Sequence, residues 1–336
     1  MVTKFFGDRF FERSARIKSY RFLQTFMESE NDNWTTTPDT SKIVANLLSE
    51  LSSKTNQEFA FLLCHSGYIP EEYPPDSSQE TLYSKLIETL VLEWAKRIGF
   101  TKSFLPTQKS STEDITISDG DVVIVCDSKS FRLGRSQNAP NVKDVLKHSD
   151  IRKWLSRHAN VSQLGGLVTF PSQHDWKKGS DFYQYTTDKS LPTICLYYEH
   201  LAFVLLCNLK KNFLTNALSS YGDMFPNILP KDTNNREPYY RVIRKTLFDQ
   251  RDLSFEEFSH SANQVVREMV YFWELKLNQR IEKTKTQIEK HYSSINDIEE
   301  LRRFAILTET DSETRDLSKQ LDRIRNFRDP LGHFIN

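Results

Sequence analysis

Glu113-Asp114 and Asp127-Ser128-Lys129 are the residues of this 336-residue chain whose types and spacing could do hydrolytic chemistry. Two carboxylates and an ammonium gathered on one face, with apolar residues behind them, repel one another and lose hydration unless something uses them. A divalent cation removes that cost. Mg²⁺ prefers carboxylate oxygens and keeps several waters, so Asp114 and Asp127 can hold it while leaving positions for a phosphate oxygen and an attacking water. Lys129 then orients or helps deprotonate that water and offsets charge building on the phosphate. The competing reading is an exposed strand end at Asp127-Ser128-Lys129 whose ions only pair with each other.

Ile115-Thr116-Ile117 and Val122-Val123-Ile124-Val125 flank Asp119-Gly120. β-Branched runs around an Asp-Gly pair predict a hairpin with a two-residue turn. That turn pairs Ser118 with Asp121, Ile115 with Ile124 and Asp114 with Val125. One face then carries Ile115, Ile117, Val122, Ile124 and Cys126, with Glu113 at the open end; the other carries Asp114, Thr116, Ser118, Asp121, Val123, Val125, Asp127 and Lys129. Asp114 becomes the diagonal neighbour of Asp127, roughly 7–8 Å away.

Helical spacing marks Ile43, Val44, Leu47, Leu48 and Leu51, and a short helix from Gln57 stops at Gly67. Ser77-x-x-Glu80 reads as a capping box opening a helix to about Ile98 that buries Leu82, Leu86, Ile87, Leu90, Val91 and Trp94. Strands at 166–170 and 193–197 extend the sheet. Glu199-His200-Leu201-Ala202 then opens an apolar run, 203–209, that reads as a buried helix with His200 as a core residue rather than a catalyst.

An acid opening one strand and an acid-x-lysine closing the next resembles the PD-(D/E)XK nuclease pattern, here without the proline of its name. The run DSKSFRLGR at 127–135 resembles the corresponding segment of the HindIII family of type II restriction endonucleases. So do NQEF at 56–59, GYIPEEYPPDSSQETLYSK at 67–85 and EHLA at 199–202, in one order and at comparable spacings, over roughly residues 41–210. The resemblance implies an α/β protein with a PD-(D/E)XK core, a mixed β-sheet flanked by helices, and a largely helical C-terminal part. It divides the chain into an N-terminal extension at 1–40, a nuclease core at 41–211 and a helical region at 212–336 that serves dimerisation or embraces DNA. In such nucleases a helix before the hairpin often lends a glutamate to the metal site, which makes Glu88 the candidate; a solvated helical glutamate is the alternative.

Lysine plus arginine balance aspartate plus glutamate at 45 each, which by itself argues against nucleic acid as a ligand. The distribution argues the other way. From Lys129 to His158 eight lysines and arginines face two acids, and a phosphate backbone complements that excess. No run of eighteen apolar residues and no signal-peptide pattern is present, so the chain is expected in the bacterial cytoplasm and away from membranes. Cys64, Cys126, Cys195 and Cys207 lack paired spacing, so they read as small buried hydrophobes rather than as disulfides or zinc ligands. Residues 1–30 mix Phe5, Phe6, Phe10, Phe11, Phe22 and Phe26 with Arg9, Arg13, Arg16, Lys18 and Arg21, as an amphipathic helix packed on its own protein or a second subunit would, or an arm reaching DNA or membrane.

Toward the C-terminus, Val265, Val266, Met269, Phe272, Trp273, Leu277, Ile281 and Ile288 form one apolar stripe, and Ile298, Leu301, Phe304, Leu317, Leu321 and Ile324 another. These are candidate core or dimer surfaces. Together with the resemblance, the pattern predicts a Mg²⁺-dependent endonuclease, a homodimer that breaks both strands of double-stranded DNA at a short palindrome, with AAGCTT the site the resemblance suggests. Asp114, Asp127, Lys129 and Glu88 form the catalytic set, and Asp114 and Asp127 the metal ligands. Arg132, Arg135, Ser136, Gln137, Asn138, Lys143 and Lys147 are the DNA-binding candidates, because arginine matches guanine, and glutamine or asparagine matches adenine, through paired hydrogen bonds. A repair or structure-specific nuclease on the same core and a catalytically silent DNA-binding protein are the alternatives.

Overall fold

A computed structural model describes residues 4–107, 112–134, 142, 146–172, 181–225, 236–249, 253–293, 298–329 and 331–334. The architecture is mixed α/β, a small sheet among many helices. The helices, in chain order, are α1 (Arg13–Tyr20), α2 (Phe22–Glu30), α3 (Thr40–Ser52), α4 (Asn56–Ser66), α5 (Ser78–Arg97), α6 (His148–Leu155), α7 (Phe182–Thr186), α8 (Tyr198–Leu206), α9 (Asn212–Ser219), α10 (Tyr221–Met224), α11 (Glu237–Ile243), α12 (Phe255–Ser293) and α13 (Glu299–Arg325). The strands are β1 (Tyr68–Ile69), β2 (Ile115–Ser118), β3 (Val122–Ser128), β4 (Phe131–Arg132), β5 (Ser162–Phe170) and β6 (Thr193–Tyr197). Strands β2, β3, β5 and β6 lie side by side in that order. The β2–β3 pair is antiparallel, while β3–β5 and β5–β6 are parallel. A separate parallel pair joins β1 to β4.

The hairpin forms, but in a different register from the two-residue turn. Ser118 pairs with Val123, Ile117 with Ile124, Thr116 with Val125 and Ile115 with Cys126. Side chains outcompete the backbone at the turn. Ser118 Oγ accepts from Gly120 N at 3.0 Å and donates to the Val122 carbonyl at 2.8 Å, while Asp119 Oδ1 accepts from the amides of Asp121 and Val122. Gly120 takes a φ of 107°, a conformation a side chain would resist. The slip is by two residues, so every side chain keeps its face. Its consequence is at the other end, where Asp114 N donates to the Cys126 carbonyl at 3.0 Å and the two aspartates become opposed rather than diagonal.

Helix α4 begins at a full capping box, Thr55 with Glu58, that the sequence reading did not single out. At α5 only half of the expected box exists: Ser77 Oγ accepts from Glu80 N, but the Glu80 carboxylate takes the amide of Asp76 and the guanidinium of Arg132 instead. α5 runs along the sheet with Leu82, Leu86, Ile87, Leu90, Val91 and Trp94 buried, and the Trp94 indole donates to the Leu201 carbonyl at 3.0 Å, fastening it to α8. Strand β5 begins four residues before the predicted 166, with an irregularity where Val123 pairs with Gln163 but Ile124 with Gly165.

One cluster of buried side chains runs from Phe5 to Phe327. Phe10 stacks on Phe61 with ring centres 3.9 Å apart, Phe5 and Phe6 meet Phe258, and Arg16 pairs with Glu268 of α12 at 2.8 Å. Burial of the predicted stripe on α12 is complete except at Trp273, which is half-buried. The stripe on α13 divides: Leu321 and Ile324 are buried, whereas Ile298 and Phe304 are 67% and 68% exposed. None of the four cysteines, all of them described residues, is in a disulfide, and Cys64, Cys126 and Cys195 are buried. Among the described residues no helix is long and apolar enough to cross a membrane.

The turn makes a checkable claim. Ser118→Ala strands the Gly120 amide and removes two hydrogen bonds, so it is expected to lower unfolding free energy by about 1–3 kcal/mol in urea titration. An unchanged midpoint would mean that Asp119 alone holds the turn.

Candidate active site

Strand β3 ends at Asp127 and Ser128, beside β2, and this delivers the acids. Asp114 and Asp127 face each other across the hairpin, with the Asp127 carboxyl close enough to act on that of Asp114. Asp114 Oδ2 also accepts from the Ser128 amide at 2.8 Å. Lys129 Nζ lies 2.6 Å from Asp127 Oδ1, and its amide donates to the Thr169 carbonyl of β5 at 2.7 Å. From α5, Glu88 comes close enough for its charge to act on both aspartates' surroundings, and it pairs with Lys85. The structure thus places Glu88, Asp114, Asp127 and Lys129 near one another.

Glu113 is not part of this group. Its carboxylate takes His158 Nε2 at 2.7 Å and the Thr116 hydroxyl at 2.8 Å. Lys85 and Tyr198 do reach the cluster without having been picked out in the sequence. The i, i+3 spacing of Lys85 and Glu88 was the available signal for the first. For Tyr198, whose hydroxyl lies 3.1 Å from Ser128 Oγ and donates to the Lys129 carbonyl at 3.0 Å, no local pattern exists because the contact joins residues 69 and 70 positions apart.

The DNA-binding candidates separate. Arg132 Nη1 donates to Glu80 at 2.9 Å and Nη2 to the Tyr73 carbonyl at 2.5 Å, so the guanidinium that the sequence offers to a base edge is surrounded by protein acceptors, with 17% of the side chain exposed. Lys147 is exposed at the start of α6, and Arg152, Lys153 and Arg157 are exposed after it. Arg135, Ser136, Gln137, Asn138 and Lys143 lie outside the described residues.

The model of the HindIII restriction endonuclease family matches residues 33–296. The chain belongs to this family. The type II restriction enzyme HindIII of Haemophilus influenzae is 25% identical over 175 residues, which are 52% of this chain and 54% of that protein. The chain therefore spans about half the length of the curated relative it matches.

For this HindIII-family chain the electrostatics follow from three carboxyls in a confined space. Burial, then the charges of Glu88 and Asp127, push the Asp114 carboxyl up to about 8, against the pull of the Ser128 amide. Glu88 is also raised, by burial first, with Lys85 opposing. Burial alone would lower Lys129, but Asp127 and Asp114 outweigh it and hold the ammonium above its ordinary range. At neutral pH the proton on Asp114 is what lets it sit against Asp127. A cation would do the same job. Among the described residues no three His, Cys, Asp or Glu side chains form a metal cage. Mg²⁺ does not require one, since it binds through one or two carboxylates and retains water, and the opposed pair Asp114 and Asp127 fits that donor set.

The Asp114 shift sets a pH dependence. Between an unfolded pKa near the ordinary value of about 4 and a folded one of about 8, the folded chain holds a proton that the unfolded chain has lost, so stability falls as pH rises through that window. In metal-free buffer Asp114→Asn is expected to flatten this fall and to be more stable than the wild type at pH 8, by urea unfolding at pH 5 and pH 8. Parallel pH dependences would show that Asp114 ionises like an ordinary carboxylate.

Proposed function

We propose that this chain is a type II site-specific deoxyribonuclease, built on a PD-(D/E)XK core, that hydrolyses both strands of double-stranded DNA at a short palindrome with Mg²⁺. The observation that carries this reading is the opposition of Asp114 and Asp127 with the Lys129 ammonium 2.6 Å from Asp127, in a chain of the HindIII family. Mg²⁺, when bound, would supply charge neutralisation at the phosphate and a more acidic water. Asp114 and Asp127 are the residues to hold it. Lys129 orients the attacking water and offsets the charge that develops on the phosphate oxygens, and Glu88 borders the metal site from α5.

DNA is expected to lie against the cations that follow the site. Lys143 and Lys147 are assigned to phosphates, joined by Arg152, Lys153 and Arg157, while Arg135, Ser136, Gln137 and Asn138 are assigned to the groove edge beside the scissile phosphate. Arg132 serves them from within, holding the start of that segment to Glu80 and Tyr73. A palindrome calls for two copies related by a two-fold axis, each cutting one strand. The exposed Ile298, Phe304 and Leu307 of the α13 region are the surface we assign to that contact. AAGCTT is the first site to test.

Digestion of one DNA of known sequence, followed by sequencing of the ends, tests the activity: discrete fragments are expected, and a smear or no cleavage would defeat the reading. Asp127→Asn, Asp114→Asn and Lys129→Ala are each expected to abolish cleavage while leaving DNA binding within about tenfold, because removing a carboxylate also removes repulsion from phosphate. Ca²⁺ should support binding without cleavage, since it holds the same oxygens at longer distance and polarises water less. Full activity in excess chelator would rule out the metal.

A further inference from the structure

The tripeptide Asp127-Ser128-Lys129 is the place where β3 stops being a strand, and there the sheet no longer holds both sides of the backbone. The Lys129 amide still donates to Thr169, but its carbonyl lies past the ladder, one residue after β3 ends. Tyr198 meets it from the first turn of α8, its hydroxyl donating to the Lys129 carbonyl at 3.0 Å. The same hydroxyl is 3.1 Å from Ser128 Oγ. A phenol has a single proton to give, and it goes to the carbonyl, so the serine hydroxyl must be the donor in the second bond.

We propose that Tyr198 and Ser128 are positioning residues for the hydrolysis, a buried hydroxyl pair that fixes the backbone from which the Lys129 ammonium is aimed. The inference rests on the reading that Lys129 belongs to the catalytic set. Ser128 links the acids to α8, since its amide donates to Asp114 Oδ2 and its hydroxyl to Tyr198. That is a reason for a serine in the middle of the acid-x-lysine motif. Tyr198 itself is 2% exposed, and its ring lies so close to Gly67 that a Cβ there would stand 2.5 Å from two ring carbons. Gly67 in turn accepts the Phe131 amide, two residues past Lys129, at 3.1 Å. The tripeptide is therefore held directly by α8, and the turn after α4 holds Phe131 just past it. Burial keeps the phenol above its ordinary range, a neutral donor at working pH. A lysine side chain has four rotatable bonds, so a fixed backbone is the first condition for a fixed ammonium; displacement by about 1 Å can cost on the order of 100-fold in rate.

The test compares Tyr198→Phe, Ser128→Ala and the double variant with the wild type and with Asp127→Asn. Single-turnover cleavage is read in Mg²⁺, DNA affinity in Ca²⁺, and thermal midpoint without DNA. Tyr198→Phe keeps the ring against Gly67 and loses only the hydroxyl. It is expected to slow cleavage about tenfold with affinity within about twofold, and the double variant is expected to be no slower than Tyr198→Phe alone, because both changes break one arrangement. Cleavage by Tyr198→Phe and Ser128→Ala within about twofold of the wild type, with Asp127→Asn inactive, overturns this inference and leaves the catalytic set standing. Loss of rate, affinity and thermal midpoint in step would make the pair merely structural and overturns it as well. Wild-type cleavage by Asp127→Asn would instead bring down the catalytic reading itself.

Discussion

The repulsion between Asp114 and Asp127 is the constraint on which the site depends. Two carboxylates opposed across a hairpin, with Glu88 brought near by α5 and an apolar sheet beneath, cannot all be ionised without some compensating positive charge. The chain meets this in two ways: Asp114 retains a proton, and Lys129 and Lys85 stand beside Asp127 and Glu88. A dication held by two carboxylates would displace the proton rather than add a new group. Buried carboxyls whose surroundings oppose ionisation are more common at functional sites than in scaffold.

Everything around the hairpin serves to keep that opposition in place. Lys211 pairs with Asp119 at the turn, and Ser118 and Asp119 hold the loop that sets the register, so the far end cannot slide without breaking several hydrogen bonds. Helix α5, fastened to α8 through Trp94, presents Glu88 at a fixed height above the sheet. After Arg132 the chain is anchored again: Glu71, buried, accepts from the Gly134 amide at 2.9 Å and pairs with Arg323 at the end of α13 at 2.9 Å. The segment leaving the site and the last long helix thus share one buried carboxylate.

The same anchoring explains why the two ends of the chain are not appendages. Phe5, Phe6 and Phe10 pack against Phe61 of α4 and Phe258 of α12, and Arg16 adds an ion pair with Glu268. The family model ends at 296, just before α13, yet Leu321 and Ile324 of that helix belong to the common core. What α13 leaves outside is its first half, where Phe304 and Leu307 face solvent.

Much of this was legible locally. The β-branched runs around Asp119-Gly120 determined that a hairpin would form and which face each residue would take, because alternation depends only on parity. The spacing of Leu82, Leu86, Leu90 and Trp94 determined α5, and the acid-x-lysine tripeptide marked the candidate site, because those signals lie within one element. Register was beyond the sequence: a two-residue slip leaves every face unchanged, and the balance between a tight turn and the Ser118 and Asp119 side-chain bonds is settled only when Lys211 and the rest of the sheet are in place. Arg132, so well suited to guanine by type, is drawn inward by Glu80 and the Tyr73 carbonyl, more than fifty residues earlier in the chain. Tyr198 reaches Ser128 and Lys129 only because β6 runs parallel to β5 and β5 to β3, which brings the start of α8 to the edge where β3 ends. Residue types and periods are properties of a segment, and the sequence by itself determined them; which distant groups meet is decided by packing, and only the tertiary structure could decide it.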